Sequence, residues 1–114
     1  MPNFNRHNTN ATRQTYKGRS YHSRAEAAYA MYLDQLLKSR QIKSWKPQHK
    51  IELRGENGGF ICNYYIDFMV ELDGGVTEFV EVKGFPTDIW EMKWKLLNDK
   101  YGKNHKYKIT LVKV

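Results

Sequence analysis

One cysteine, Cys62, stands among 114 residues, which excludes an intrachain disulfide and any cysteine-based zinc site. Proline is nearly as scarce, with three in the chain. Long apolar runs are missing too, and a bilayer-crossing helix needs roughly 20 consecutive apolar residues. The first residues are basic and asparagine-rich without a hydrophobic stretch, so they do not read as a secretory signal. His7, His22, His49 and His105 are scattered without ligand spacing, which argues against a haem or zinc protein. These absences lead us to expect a soluble protein of a reducing, cytoplasmic compartment, with no membrane partner and no small-molecule cofactor.

What is present is a core and a charge. Hydrophobic residues make up 40% of the chain and aromatics 14%, too much apolar mass for a disordered polymer. At this length one core is affordable and a second is not. Nineteen Lys and Arg against twelve Asp and Glu give +7, so the natural partner is a polyanion, most simply a nucleic acid. The excess is uneven. Arg6, Arg13, Lys17, Arg19 and Arg24 fall in the first 25 residues, where no acid occurs. We therefore expect a flexible basic arm over residues 1–20 that grips phosphates, and a single domain over 21–114.

Within the arm, Lys17-Gly18 marks a turn that would let Tyr16 and Tyr21 pair in a short hairpin. A helix then begins after Ser23, an N-cap residue with Glu26 three positions on, the capping-box spacing. Ala25, Tyr29, Tyr32, Leu33, Leu36 and Leu37 recur at helical spacing as one apolar stripe. Two strand segments follow, Ile42–Trp45 and His49–Leu53, broken at Pro47, which cannot donate to a ladder. After the Gly55–Gly59 turn comes a long run from Ile61 to Leu72, then Asp73-Gly74-Gly75, then an alternating strand from Val76 to Lys83. A second helix opens at Thr87 or Asp88 and closes near Tyr101, with Gly102 as a left-handed stop. Tyr107–Val114 is the last strand. The order is α-β-β-β-α-β, an α+β domain.

The hairpin carries the chemistry. With Asp73-Gly74-Gly75 as a three-residue loop, paired positions sum to 148. Asp67 then faces Glu81, Tyr65 faces Lys83 and Met69 faces Phe79 on one side of the sheet. Ile66/Val82, Phe68/Val80 and Leu72/Val76 fill the other. A two-residue loop would split the two acids onto opposite faces, and it sorts the apolar residues less well. Two carboxylates across an antiparallel pair stand ~5 Å apart at Cβ and repel. A divalent cation reverses that sign, since magnesium takes carboxylate oxygens along with water and phosphate. Lys83 points the same way, placing an ammonium beside such an ion. The competing reading is a solvated face carrying ordinary charges.

Asp67 followed by Glu81-Val82-Lys83, behind a helix bearing Glu26, resembles the PD-(D/E)XK nuclease superfamily, whose core order is also α-β-β-β-α-β. More narrowly, Ser23-Arg24-Ala25-Glu26, Ile66-Asp67-Phe68 and Glu81-Val82-Lys83-Gly84-Phe85 are similar to phage endonuclease I and related small phage nucleases. Ile66 stands where the superfamily has proline. The resemblance implies a restriction-endonuclease-like fold, a mixed central sheet flanked by helices. It implies Asp67 and Glu81 as metal ligands, Lys83 as the catalytic lysine and Glu26 as a further ligand, although a capping box explains Glu26 equally. The implied activity is Mg²⁺-dependent hydrolysis of DNA, with Mn²⁺ able to substitute. The implied substrate is branched DNA or a Holliday junction, which two sites of a homodimer would cut; for a phage-encoded protein the compartment is the bacterial host cytoplasm. The alternatives are a nicking or restriction-type duplex nuclease, an RNA-directed nuclease and a non-catalytic binding module. Lys93 and Lys95 on the second helix either track phosphates or form its solvated face. Trp45, Trp90 and Trp94 are read as core, with base stacking the rival.

Overall fold

The computed structural model describes residues 14–114, which form two compact units, one ending at Gln41 and the other spanning Ile42–Val114. The first unit opens with strands β1 (Gln14–Tyr16) and β2 (Arg19–Tyr21), an antiparallel hairpin turning at Lys17-Gly18. Its register pairs Tyr16 with Arg19 and Gln14 with Tyr21, not the two tyrosines with each other. The compositional boundary at residue 20 therefore falls inside β2, and residues 14–20 belong with the unit that follows. Residues 1–13 of the expected arm, including Arg6 and Arg13, lie outside the described residues.

Helix α1 (Arg24–Lys38) begins as expected, with Ser23 Oγ accepting the Glu26 backbone N–H at 3.1 Å. Removing that acceptor orphans an N–H of the first turn. Ser23→Ala is expected to cost about 1 kcal/mol, read as a lower urea midpoint with unchanged slope. The face of α1 differs from the apolar stripe. Its buried residues are Glu26, Ala27, Ala30, Leu33 and Asp34, while Tyr32 and Leu37 are exposed. Small side chains permit close approach along the 27-30-34 line. The acid on that line is satisfied by the hairpin, for Asp34 accepts the Tyr16 hydroxyl at 2.5 Å and pairs with Lys17 at 2.9 Å.

The second unit holds a four-stranded sheet in the order β3-β4-β5-β6. Its strands are β3 (Ser44–Arg54), β4 (Phe60–Glu71), β5 (Thr77–Lys83) and β6 (Tyr107–Lys113), with helix α2 (Asp88–Tyr101) joining the last two. The pairings β3–β4 and β4–β5 are antiparallel and β5–β6 is parallel. The sheet is mixed, as expected. Pro47 does not break β3 in two. It pairs opposite Phe68 on an edge strand, where a missing N–H can face solvent.

Pairing in β4–β5 follows the expected sum of 148: Phe68↔Val80, Met69↔Phe79, Val70↔Glu78 and Glu71↔Thr77. The loop closes with Leu72 N–H donating to Val76 O at 2.8 Å, and Gly74 and Gly75 take φ of 78° and 75°, where glycine carries no Cβ penalty. Thr87 caps α2 by accepting the Trp90 N–H. Gly102 ends it at φ −63°, so it is not the left-handed stop expected. A Cβ there would meet the Asn98 carbonyl oxygen, which accounts for the glycine by close approach instead.

Leu97 of α2 packs into a buried cluster with Ile51, Leu53, Tyr64, Ile66 and Phe79. That membership corrects the expected facing. Strict alternation from Met69, the partner of Phe79, would put Ile66 on the opposite side of the sheet. Instead Ile66 joins Phe79, and His49, which pairs with Ile66, stacks on the Phe79 ring at 6.0 Å. The alternation of β4 thus slips by one residue between Ile66 and Met69. No helix among the described residues is long and apolar enough to cross a membrane.

Candidate active site

The slip has a visible cause, centred on Asp67. On the β3 side every pair from Ser44↔Glu71 to Leu53↔Cys62 keeps one register, yet Gln48 and Asp67 are skipped. Gln48 sits at φ 52°, the left-handed region that non-glycine residues seldom adopt. On the β5 side the ladder stops at Phe68↔Val80. The hydrogen-bonding parity set by Leu72 and Val76 makes Ile66/Val82 the next bonded pair. Val82 N–H donates instead to Asp67 Oδ2, at 2.8 Å. The other oxygen, Oδ1, accepts Gln48 Nε2–H at 3.3 Å. A carboxylate therefore replaces a backbone carbonyl as the acceptor of Val82 N–H at the point where β4 and β5 part, and β5 goes on pairing with β6 as far as Lys83↔Lys113.

Beside it stands the second acid. Asp67 and Glu81 are both buried, at 8% and 5% exposure, where unpaired ionised groups are costly. Glu81 Oε2 accepts Trp90 Nε1–H at 2.8 Å, and the same N–H reaches the Tyr64 hydroxyl at 3.0 Å. Glu81 Oε1 is buried with no hydrogen-bond partner. Burial pushes the Glu81 carboxyl up to about 8, and the Asp67 charge adds to the rise; the Trp90 hydrogen bond and the Lys83 ammonium oppose it. Burial likewise raises the Tyr64 hydroxyl, with the Glu81 charge contributing, so Tyr64 stays neutral. Lys83 completes the group, its Nζ lying 5.3 Å from the Trp90 ring centroid, within cation–π range.

The donor set suits a hard divalent cation. Two carboxylates, one with a vacant buried oxygen, are what magnesium takes from a protein while water and phosphate fill its remaining positions. Among the described residues no group of three or more His, Cys, Asp or Glu is placed to hold a metal, so the site is a carboxylate pair. Glu26 lies in the first unit, where its backbone N–H is the one Ser23 caps. A ligand role for Glu26 rests on the resemblance alone.

Residues 6–113 match the family described as a protein of unknown function, DUF1064. The chain belongs to this family. No curated protein and no solved structure matches it. In this DUF1064 chain a surface cleft of about 210 Å³ reaches Glu81, lined also by Tyr64, Tyr65, Thr87, Ile89, Trp90 and Lys93. Lys93 also donates to Asn63 O at 3.3 Å, and Lys95 is exposed on α2. Lys17 is held by Asp34, Arg19 lies 6.0 Å from the Tyr21 ring, and Arg24 is exposed at the start of α1.

Two residues at the site of the DUF1064 chain escaped sequence reasoning. Gln48 offered only its position after a proline. Trp90 read as core aromatic, and its apolar ring does stack on Trp94 at 5.5 Å. Its N–H gave no signal, because a helical residue's reach to a strand carboxylate depends on tertiary packing.

Proposed function

We propose that the protein is a metal-dependent endonuclease hydrolysing DNA phosphodiester bonds, within the PD-(D/E)XK group that its motifs resemble, and within that group a branched-DNA resolvase. The observation that supports this most is the buried Asp67–Glu81 pair at the parting of β4 and β5, with a free carboxylate oxygen and a lysine beside it. Stability does not call for such a pair: like charges brought together out of water oppose folding unless a proton or a cation joins them.

Asp67 and Glu81 would hold the cation, Mg²⁺ or Mn²⁺, through carboxylate oxygens. Bound there, it supplies positive charge to the scissile phosphate and acidifies the attacking water. Val82 N–H and Gln48 fix the Asp67 carboxylate in place, so no reorganisation is needed as charge builds. The Lys83 ammonium faces the negative charge gathering on the phosphate oxygens. The +7 excess draws the polyanion in, and binding should weaken steeply with salt.

Junction preference and a homodimer rest on the resemblance, and they are tested together. A four-way junction and a linear duplex of matched sequence are incubated with the protein in Mg²⁺. The junction should be cut in paired strands and the duplex spared, with a dimer seen by sedimentation. Equal cleavage of both substrates would move the protein to the duplex nucleases. DNA binding without cleavage in either Mg²⁺ or Mn²⁺ would make it a binding module.

A further inference from the structure

We propose that Trp90 is the positioning residue of this site, its indole N–H fixing Glu81 and its ring face seating the Lys83 ammonium; the inference rests on the nuclease reading above. Two faces of one side chain serve two different groups. The edge presents N–H to Glu81 Oε2 at 2.8 Å, and the face lies 5.3 Å below Lys83 Nζ. Glu81 and Lys83 are two residues apart on β5 and point the same way, so one ring from α2 spans both.

The hydrogen bond makes the carboxylate asymmetric. Oε2 is occupied by Trp90, and Oε1, buried and without a hydrogen-bond partner, is left as the oxygen presented to a cation. Rotation of the carboxylate would break the indole bond, so the orientation is held before any ion arrives. Trp90 is itself anchored on three sides. Its backbone N–H bonds Thr87 Oγ1 at 3.2 Å, its ring stacks on Trp94, and its N–H is shared with the Tyr64 hydroxyl at 3.0 Å. Partners behind a metal ligand typically govern affinity or activity by 10–100-fold.

Phenylalanine separates the two duties, since it keeps a ring face and has no N–H, whereas leucine removes both. Mn²⁺ affinity is measured by calorimetry for the wild type, Trp90→Phe and Trp90→Leu, alongside kcat and KM on DNA and thermal midpoints. Trp90→Phe should bind Mn²⁺ about tenfold more weakly and lose kcat about 10-fold or more, with KM for DNA near the wild-type value. Trp90→Leu should lose a further severalfold in kcat, which the phenyl ring of Trp90→Phe restores. Simple packing predicts no change in Mn²⁺ affinity for Trp90→Phe at equal thermal midpoint, and that result would overturn the proposal. Trp90→Phe retains the stack, so the metal titration decides even where Trp90→Leu fails to fold. If wild type binds Mn²⁺, Trp90→Phe binds it more weakly and no DNA is cut, the positioning role stands and hydrolysis falls. DNA cutting by wild type with Mn²⁺ affinity unchanged in Trp90→Phe retains hydrolysis and removes the positioning role.

Discussion

Lys83→Ala is expected to reduce Mg²⁺-dependent DNA cleavage by about 10²–10⁴-fold while leaving DNA binding and the folded state intact. The lysine is half-buried at the end of β5, with its ammonium seated on an indole ring rather than locked in an ion pair. It is not part of the buried cluster, so truncation removes chiefly the charge. A group that acts on charge developing during reaction lowers kcat and kcat/KM together, with KM little moved. Asp67→Ala should cost at least as much activity by another route. It removes a cation ligand and also the acceptor of the Val82 and Gln48 donors, so a loss of stability should accompany it. The comparison is made on a labelled junction by gel under single-turnover conditions, with binding measured separately in Ca²⁺. A Lys83→Ala protein that cuts at wild-type rate would remove the lysine from the chemistry.

The second large effect is on stability and concerns pH. Glu81 has its carboxyl raised from 4.5 to about 8 in the folded protein, chiefly by burial and next by the Asp67 charge. The folded state therefore holds this proton more tightly than the unfolded chain. Its contribution is fully present below pH 4.5 and is lost as pH rises towards 8. Each unit of difference corresponds to about 1.36 kcal/mol, so the loss across that window is on the order of a few kcal/mol. With EDTA present, Glu81→Gln should match wild type near pH 5 and exceed it by that amount near pH 8. Mg²⁺ should restore wild type at the alkaline end, where the carboxylate is free to bind it, and should leave Glu81→Gln unmoved. Urea midpoints at the two pH values, with and without Mg²⁺, give all four comparisons. Parallel pH curves for the two proteins would show that Glu81 is not held protonated.

Much of this is legible in the sequence. The α-β-β-β-α-β order follows from caps, turns and periodicity. The β4–β5 register follows from Asp73-Gly74-Gly75, because glycines at both left-handed positions allow a three-residue loop and apolar sorting then selects the sum. The facing of side chains below Asp67 was not legible. A period of two assumes an unbroken ladder, whereas at Asp67 the β3–β4 ladder skips a pair and the β4–β5 ladder ends on the aspartate's own carboxylate. Nothing in Gln48 announces a left-handed backbone. The buried face of α1 was misread for a related reason: hydrophobicity favoured Tyr32 and Leu37, but the buried line runs through alanines and through Asp34, which the hairpin satisfies. Sequence patterns capture elements and their pairing well. They miss polar groups that take over a backbone hydrogen bond, and here those groups make the site.

One experiment bears most directly on the account: a crystal of the protein soaked in Mn²⁺, with the ion located by its anomalous signal. The expected result is a peak between Asp67 and Glu81, within bonding distance of Glu81 Oε1, with Lys83 beside it. A fully occupied peak elsewhere, with neither Asp67 nor Glu81 touching the ion, would contradict it.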